Sequence, residues 1–478
     1  MVAAVADTIM RRRAVLRATG GVCLSLGVAG CLFDSDAEDP TGSYEPLDRV
    51  SLEGAAEAVV GDDGETTYVA GVDGFATVDV TDPEDLTVLT ERKNLLEDEN
   101  AGDAAGERFL DILDVKVSAD RLVVAGPANR GFDGVFHGFL VYDVSDPAEP
   151  VLAADPYETD YHIHNCFVDG DILYVAANKV TSDTGTSTGN TGTGTGDTGA
   201  ADTGGGSTAS APHNPLVVFD ISGGEIEELA RWSLLEYEPD WADVDWLLRY
   251  LHDITVTDGL AALSYWNAGT YLLDVSDPTD PQVLTSLLET DLETQRGYDT
   301  DFEIRDAQFG LPGNDHFAAV DDTGDILAIG RESWETDLES ATGPGGIDLY
   351  DFTDPANPIR RSTIEAPEGY DETYGGEPWT TSHNFELRDG RLYSSWYGGG
   401  VKIHDLSDLA SPAELAWWRE PTTASFWTAR VITPGETFAA SSTAYTTADN
   451  PENALYTFPI ESSKQADPPS LTDPSLFR

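Results

Sequence analysis

The sequence predicts an all-β protein, a β-propeller of four-stranded blades, on three observations. A strand ending in Asp-x-Ser/Thr-Asp-Pro recurs along the chain, as in Val141-Tyr142-Asp143-Val144-Ser145-Asp146-Pro147. A second unit, strand-turn-strand, precedes each copy, as in Asn165 to Ala176 around Asp169-Gly170, and Asn384 to Tyr393 around Asp389-Gly390. The two ends of the repeat region carry complementary defects. Pro46 to Leu52 reads as a fourth strand without its first three, and the copy ending at Leu455-Tyr456-Thr457-Phe458-Pro459-Ile460 reads as three strands without a fourth. Pairing the ends closes a ring and removes both exposed edges.

Each element has a local reason. β-Branched and aromatic residues fill the runs before the motif, and Asp and Pro then make a tight turn, Asp by bonding its own backbone two residues on and Pro by fixing φ. The other copies fall at Val78 to Pro83, Phe219 to Ser222, Leu273 to Pro278, Tyr350 to Pro355 and His404 to Asp408. A short apolar run after each turn, such as Pro281-Gln282-Val283-Leu284, supplies the fourth strand. The motif Asp recurs at an interval of 54 between Asp220 and Asp274 and again between Asp351 and Asp405. Units of this kind in series define a propeller. They number seven, or six if the weak last copy from Trp427 to Ile460 is irregular. The repeated Asp pair resembles a calcium ligand set only superficially, because it lacks the dense alternation of oxygen ligands and recurs in nearly every unit. Turn formation accounts for it.

The expected organisation is a signal segment at 1–30, an acidic tether at 31–45, the propeller at 46–463 and a flexible tail at 464–478. Arg11-Arg12-Arg13 precedes an apolar stretch shorter than the ~20 residues a membrane helix needs, which predicts twin-arginine export rather than a spanning helix. Leu26-Gly27-Val28-Ala29-Gly30-Cys31 resembles a lipobox, with Cys31 as the lipidated first residue of the mature chain; an ordinary cleaved signal is the alternative. Cys166 is then the one thiol left and no intrachain disulfide can form. The Thr/Gly/Ser/Asp segment 181–211 has no bulky apolar residue and predicts a disordered loop in the third blade, either a plain spacer or a carrier of O-linked sugars.

Acidic residues number 87 against 26 Lys and Arg, a net charge of −61. Self-repulsion of that size is tolerable where molar salt cuts the Debye length to about 3 Å, so the composition predicts a salt-adapted, halophilic protein. It argues against nucleic acid, which needs a basic footprint.

The strand-Asp-[Val/Ile]-Ser-Asp-Pro-x-x-Pro pattern at 139–150 and 271–284 resembles the LVIVD repeat, and the likeness weakens at Ile221-Ser222-Gly223-Gly224, at Asp408-Leu409 and in the last blade. The resemblance implies an exported bacterial or archaeal surface protein with a propeller fold and gives little about activity.

Long connections at 91–111, 236–250, 288–315, 334–346 and 365–382 fall before first strands or between second and third strands, positions that share one face of a propeller. That face is the expected binding face. Histidine is the sharpest signal there. His164 and His383 each lie ten residues before the second-strand Tyr174 and Tyr393, His252 has the same offset, and His316 has it once one turn residue is allowed. First strands line a propeller's channel, so four successive blades should bring these imidazoles together at its mouth. There they would hold a transition metal, with Asn165, Asp253 and Asn384 behind them. The alternative is a repeat residue that bonds backbone around the funnel.

Trp266 and Trp396, aligned at the end of second strands, and the scarce cations Lys179 and Arg331 are the candidate ligand-binding residues, suited to a small anionic or glycan ligand; packing is the competing role. No phosphate loop or His-Glu-x-x-His helix is present. Two functions follow. One is a lipid-anchored cell-surface module that binds a protein, glycan or small molecule through its top face. The other is an exported metal-dependent, oxidoreductase-like enzyme using the histidine funnel.

Overall fold

The computed structural model describes residues 43–97, 101–129, 134–178, 212–336, 343–445 and 451–477. The signal segment, Cys31, nearly all of the tether, Lys179 and the 181–211 loop lie outside the described residues.

Seven antiparallel blades form a ring. Their first strands are Ala55–Val60, Asp114–Ser118, His162–Asp169, Asp253–Thr257, Asp315–Val320, Phe385–Arg388 and Phe426–Thr433, numbered here as blades 1 to 7. Within blade 4, Asp253–Thr257 pairs with Leu260–Ser264, then Thr270–Asp274, then Gln282–Leu287. First strands of neighbouring blades lie against one another around the axis. The inner strands are packed on both faces by neighbouring blades, so they read as nearly continuous apolar runs, while the outer strand is only half covered and carries charge. Thus Leu260–Ser264 is buried throughout, whereas Gln282–Leu287 is exposed or half-buried.

Ring closure is as the chain ends predict. Asp48–Ser51 pairs antiparallel with Ala454–Pro459, Asp48 opposite Thr457 and Ser51 opposite Ala454. The Asp48 carboxylate also accepts from the Leu86 N–H of blade 1 at 2.8 Å. The seventh blade is therefore regular, and the six-bladed alternative is excluded.

The motif turns are tandem side-chain-capped turns. Asp143 accepts from the Ser145 N–H at 3.0 Å and Asp146 from the Ala148 N–H at 3.0 Å. Asp220, Asp274 and Asp405 do the same two residues on. The backbone bond from Ser145 holds the Asp143 carboxyl below its ordinary range.

Three features differ from expectation. The C-terminal segment is not a loose tail: Ser463–Lys464 adds a parallel strand to the outer edge of blade 6, Arg419 Nε donates to Pro469 O at 2.9 Å, and Leu471 is buried. The tether ends earlier than residue 45, because Tyr44 is buried and its hydroxyl donates to Pro459 O at 2.8 Å. Helices occupy the upper loops, at Leu234–Tyr237, Leu292–Arg296 and Asp301–Phe309, the last started by a Thr300/Glu303 capping box.

Candidate metal centre in the histidine funnel

The four imidazoles meet. They stand at the upper end of the first strands of blades 3 to 6 and form a continuous arc. Ring centroids are 3.9 Å apart from His164 to His252, 4.0 Å from His252 to His316 and 4.4 Å from His316 to His383. His252, His316 and His383 are 4%, 2% and 2% exposed, too little for solvent to serve as their general partner.

Two of the rings bond backbone. His164 Nδ1 lies 2.9 Å from Ala128 O and His383 Nδ1 2.6 Å from Trp427 O, so Nδ1 carries the proton in both and Nε2 is left with its lone pair. That is half of the structural alternative, but it is also how ligating imidazoles are oriented. His316 fits the structural alternative less well, since no group among the described residues hydrogen-bonds either of its ring nitrogens. A buried histidine that served only to satisfy backbone would not be left so.

Carboxylates complete two donor sets that share His316. His252, Asp253 and His316 offer ligand atoms within 4.8 Å of one another, and so do His316, Glu332 and His383. His252 Nδ1 is 3.3 Å from Asp253 Oδ2, and His316 Nδ1 is 3.1 Å from Glu332 Oε2. Tyr397 donates its hydroxyl to the other Glu332 oxygen and so fixes that carboxylate. Tetrahedral bonds of 2.0 to 2.2 Å put ligand atoms about 3.4 Å apart, within reach of small side-chain rotations from these positions. The donor set is imidazole plus carboxylate, which suits Zn, Cu or Fe.

Burial first, and a neighbouring imidazole second, push all four histidine pKa values down, His164 to about 4 and His383 to about 3. His252 and His316 are lowered for the same reasons. Burial raises Asp253 to about 7. Neutral imidazole is the ligating form, so the funnel holds its ligands ready at neutral pH. Depressed histidines also set acid stability. The unfolded chain takes up protons below about pH 6.5 and the folded one does not, so these groups contribute stability above that pH that is lost as pH falls. His404, lowered to about 3 by burial, acts in the same sense. Asp114 and Asp253, both raised to about 7, oppose it, as do the buried Asp315 and Glu386, also raised, but five imidazoles outweigh four carboxyls. The metal-free protein should therefore lose stability steadily from pH 6.5 to 5 in thermal melts at constant high salt; a flat profile would contradict these burials.

Below the histidines runs a buried charge layer. Glu57 of blade 1 bonds Arg430 of blade 7 at 2.8 Å, accepts from Asn384 Nδ2 at 2.8 Å and lies 3.5 Å from Lys116 of blade 2. Lys116 also pairs with Asp114, whose second oxygen accepts from the Cys166 N–H at 2.7 Å. Asn165 and Asn384 thus bond the protein framework instead of backing the histidines: Asn165 accepts from the Ile254 N–H at 3.0 Å. Asp253 alone of the three stands beside the imidazoles. Further down, the channel opens on the opposite face into a cavity of about 720 Å³, lined by Phe167, Phe317 and Phe385 among others.

The candidate ligand-binding residues divide. Trp266 is at the funnel, stacked on Tyr250 with centroids 4.5 Å apart and on His252 at 5.5 Å. Trp396 is not. It is fully buried inside blade 6, its Nε1 donating to Ser394 Oγ at 2.8 Å. The residue that matches Trp266 is Tyr397: both have left-handed φ, 36° and 48°, and both bridge to the next blade. The slip is readable in the sequence, since Trp266 and Tyr397 each lie eight residues before the motif Asp, at Asp274 and Asp405. Arg331 is buried and engaged by Asp315 Oδ1 at 3.0 Å and by Asp348, so it is a structural cation and not a ligand contact. Sequence reasoning missed Glu332, Tyr397 and Tyr250. Glu332 follows the second strand of blade 5 as Trp266 and Tyr397 follow theirs, a positional signal that was available.

The chain is a seven-bladed β-propeller with a histidine-lined funnel. Among solved structures it is similar to the Myceliophteria thermophila Cps50 (Swd1) β-propeller domain, with a TM-score of 0.52 and 8% identity over 87% of this chain and 99% of that one. It is also similar to U3-55K, with a TM-score of 0.51 and 9% identity over 88% and 99% of the two chains. At such identities the likeness is one of fold. No family model matches the chain and no curated protein matches it in sequence.

Proposed function

We propose that this protein is an exported, lipid-anchored propeller of a salt-adapted cell whose funnel holds a transition-metal ion. The observation that carries the metal is His316, 2% exposed, flanked by two further imidazoles and two carboxylates, with neither nitrogen hydrogen-bonded among the described residues. A divalent cation is the partner that satisfies several convergent lone pairs and two carboxylates at once. Support for the rest is sequence only: the arginine run, the lipobox-like residues before Cys31, the LVIVD-like repeat and the net charge of −61. The long loops and helices on the same face form the surface that any protein, glycan or small-molecule ligand must cross to reach the centre. A bound metal supplies Lewis acidity there; an oxidoreductase-like activity is the second reading, favoured by the aromatic wall of Tyr250, Trp266 and Tyr397 around the centre.

Protein purified in high salt without an affinity histidine tag should carry a transition metal by elemental analysis. His316→Ala should lose it while the cooperative melt persists. Metal content at background in the parent, including after incubation with Zn(II) or Cu(II), would remove the proposal. For the anchor, Cys31→Ser should move the protein from membranes to the medium; unchanged membrane retention would refute the lipoprotein reading.

A further inference from the structure

We propose that the funnel holds two metal ions, one on each ring nitrogen of His316, which bridges them as an imidazolate; this rests on the metal reading above. The geometry points both ways from a single ring. His316 Nδ1 faces Glu332 Oε2 at 3.1 Å, and Nε2 faces Asp253 Oδ2 at 3.9 Å. Each carboxylate belongs to a separate three-donor set, completed by His383 on one side and His252 on the other.

A one-metal site accounts for one of these sets and leaves the other unexplained. Were the ion with His252 and Asp253, the other His316 nitrogen would need Glu332 as hydrogen-bond acceptor, yet that contact lacks hydrogen-bond alignment. His383 would also be left with its Nε2 lone pair turned from the carbonyl that holds Nδ1. Were the ion with Glu332 and His383, His252 Nδ1 and Asp253 Oδ2 would keep their mutual bond at 3.3 Å, but His316 Nε2 would be left with no acceptor in reach, Asp253 being 3.9 Å away. Two ions satisfy both nitrogens, both carboxylates and both outer histidines. His164, whose ring lies 3.9 Å from that of His252 and whose Nε2 is likewise the lone-pair nitrogen, can add to the Asp253 side. Tyr397 plays the outer role on the Glu332 side, orienting the carboxylate. Charge supports this account. Two dications among two carboxylates and an imidazolate leave a modest positive charge, in a protein whose net charge is −61. Binding of the second ion takes the place of the one remaining His316 N–H proton, which leaves to solvent.

The test uses the full chain in high salt, stripped with a chelator and loaded with Cu(II), with Zn(II), or with one of each. Two copper ions per chain are expected, with most of the copper silent in electron paramagnetic resonance through coupling across the imidazolate. The mixed copper–zinc form should recover a full Cu(II) signal, a check that needs no variant. His383→Ala should drop the count from two to one with an uncoupled signal, and so should His252→Ala. Two copper ions with a full uncoupled signal overturn the bridge. A single ion per chain overturns the pair while leaving the one-metal reading intact, and no bound ion removes both.

Discussion

Deletion of residues 46 to 53 should lower the melting midpoint by about 6 °C and make the protein aggregate on heating. Asp48–Ser51 supplies the outer strand of blade 7, so its loss removes four ladder positions, the buried Leu52 and the Asp48 bond to blade 1. A buried Leu and a handful of hydrogen bonds together are worth roughly 5 kcal/mol. A folded body of this size has an unfolding entropy near 0.85 kcal/mol/K, which converts that loss to about 6 °C. The exposed edge of Ala454–Pro459 would then be a template for pairing with other chains. Calorimetry with light scattering checks both parts. A truncated chain that melts like its parent and stays clear would show that the ring does not depend on this strand.

Arg331→Met should cost about 3 to 5 kcal/mol, or about 4 to 6 °C. Its guanidinium is the shared partner of Asp315 and Asp348, which are 2% and 0% exposed; its removal leaves Asp315 in the interior without a cation and Asp348 with Arg360 alone, at 2.6 Å. Burial raises the Asp315 pKa and Arg331 lowers it, so loss of the arginine should raise it further. The variant should therefore regain stability at lower pH relative to the parent, and adding Asp315→Asn should recover part of the loss. A ligand-binding arginine would show neither effect. Because Asp315 and Arg331 adjoin His316 and Glu332 in the chain, weaker metal retention should accompany the loss of stability.

Much of the site was legible because repeats impose equal offsets. His164, His252 and His383 hold matched positions in their units, and equal positions on first strands of a ring converge on its axis. What a repeat alignment cannot resolve is a one-residue slip in a turn. Aligning Trp396 with Trp266 put a core residue at the funnel, because a left-handed kink at Trp266 and Tyr397 turns consecutive aromatics to opposite sides. Glu332 escaped notice because a carboxylate in so acidic a chain carries no signal of its own. Arg331 was conspicuous for its scarcity, but its partners lie on separate strands and only packing pairs them.

By itself the amino-acid sequence determined the propeller, the closure by its own N-terminal strand, the loop-rich face and the arc of histidines. These follow from local periodicity and from repetition, which act at short range. Tertiary structure alone decided which ring nitrogens bond carbonyls, that His316 has a carboxylate facing each nitrogen, that Asn165 and Asn384 serve the framework, and that the C-terminal segment extends blade 6. Each of those depends on angles and distances between residues far apart in the chain, set only when seven blades pack around one axis.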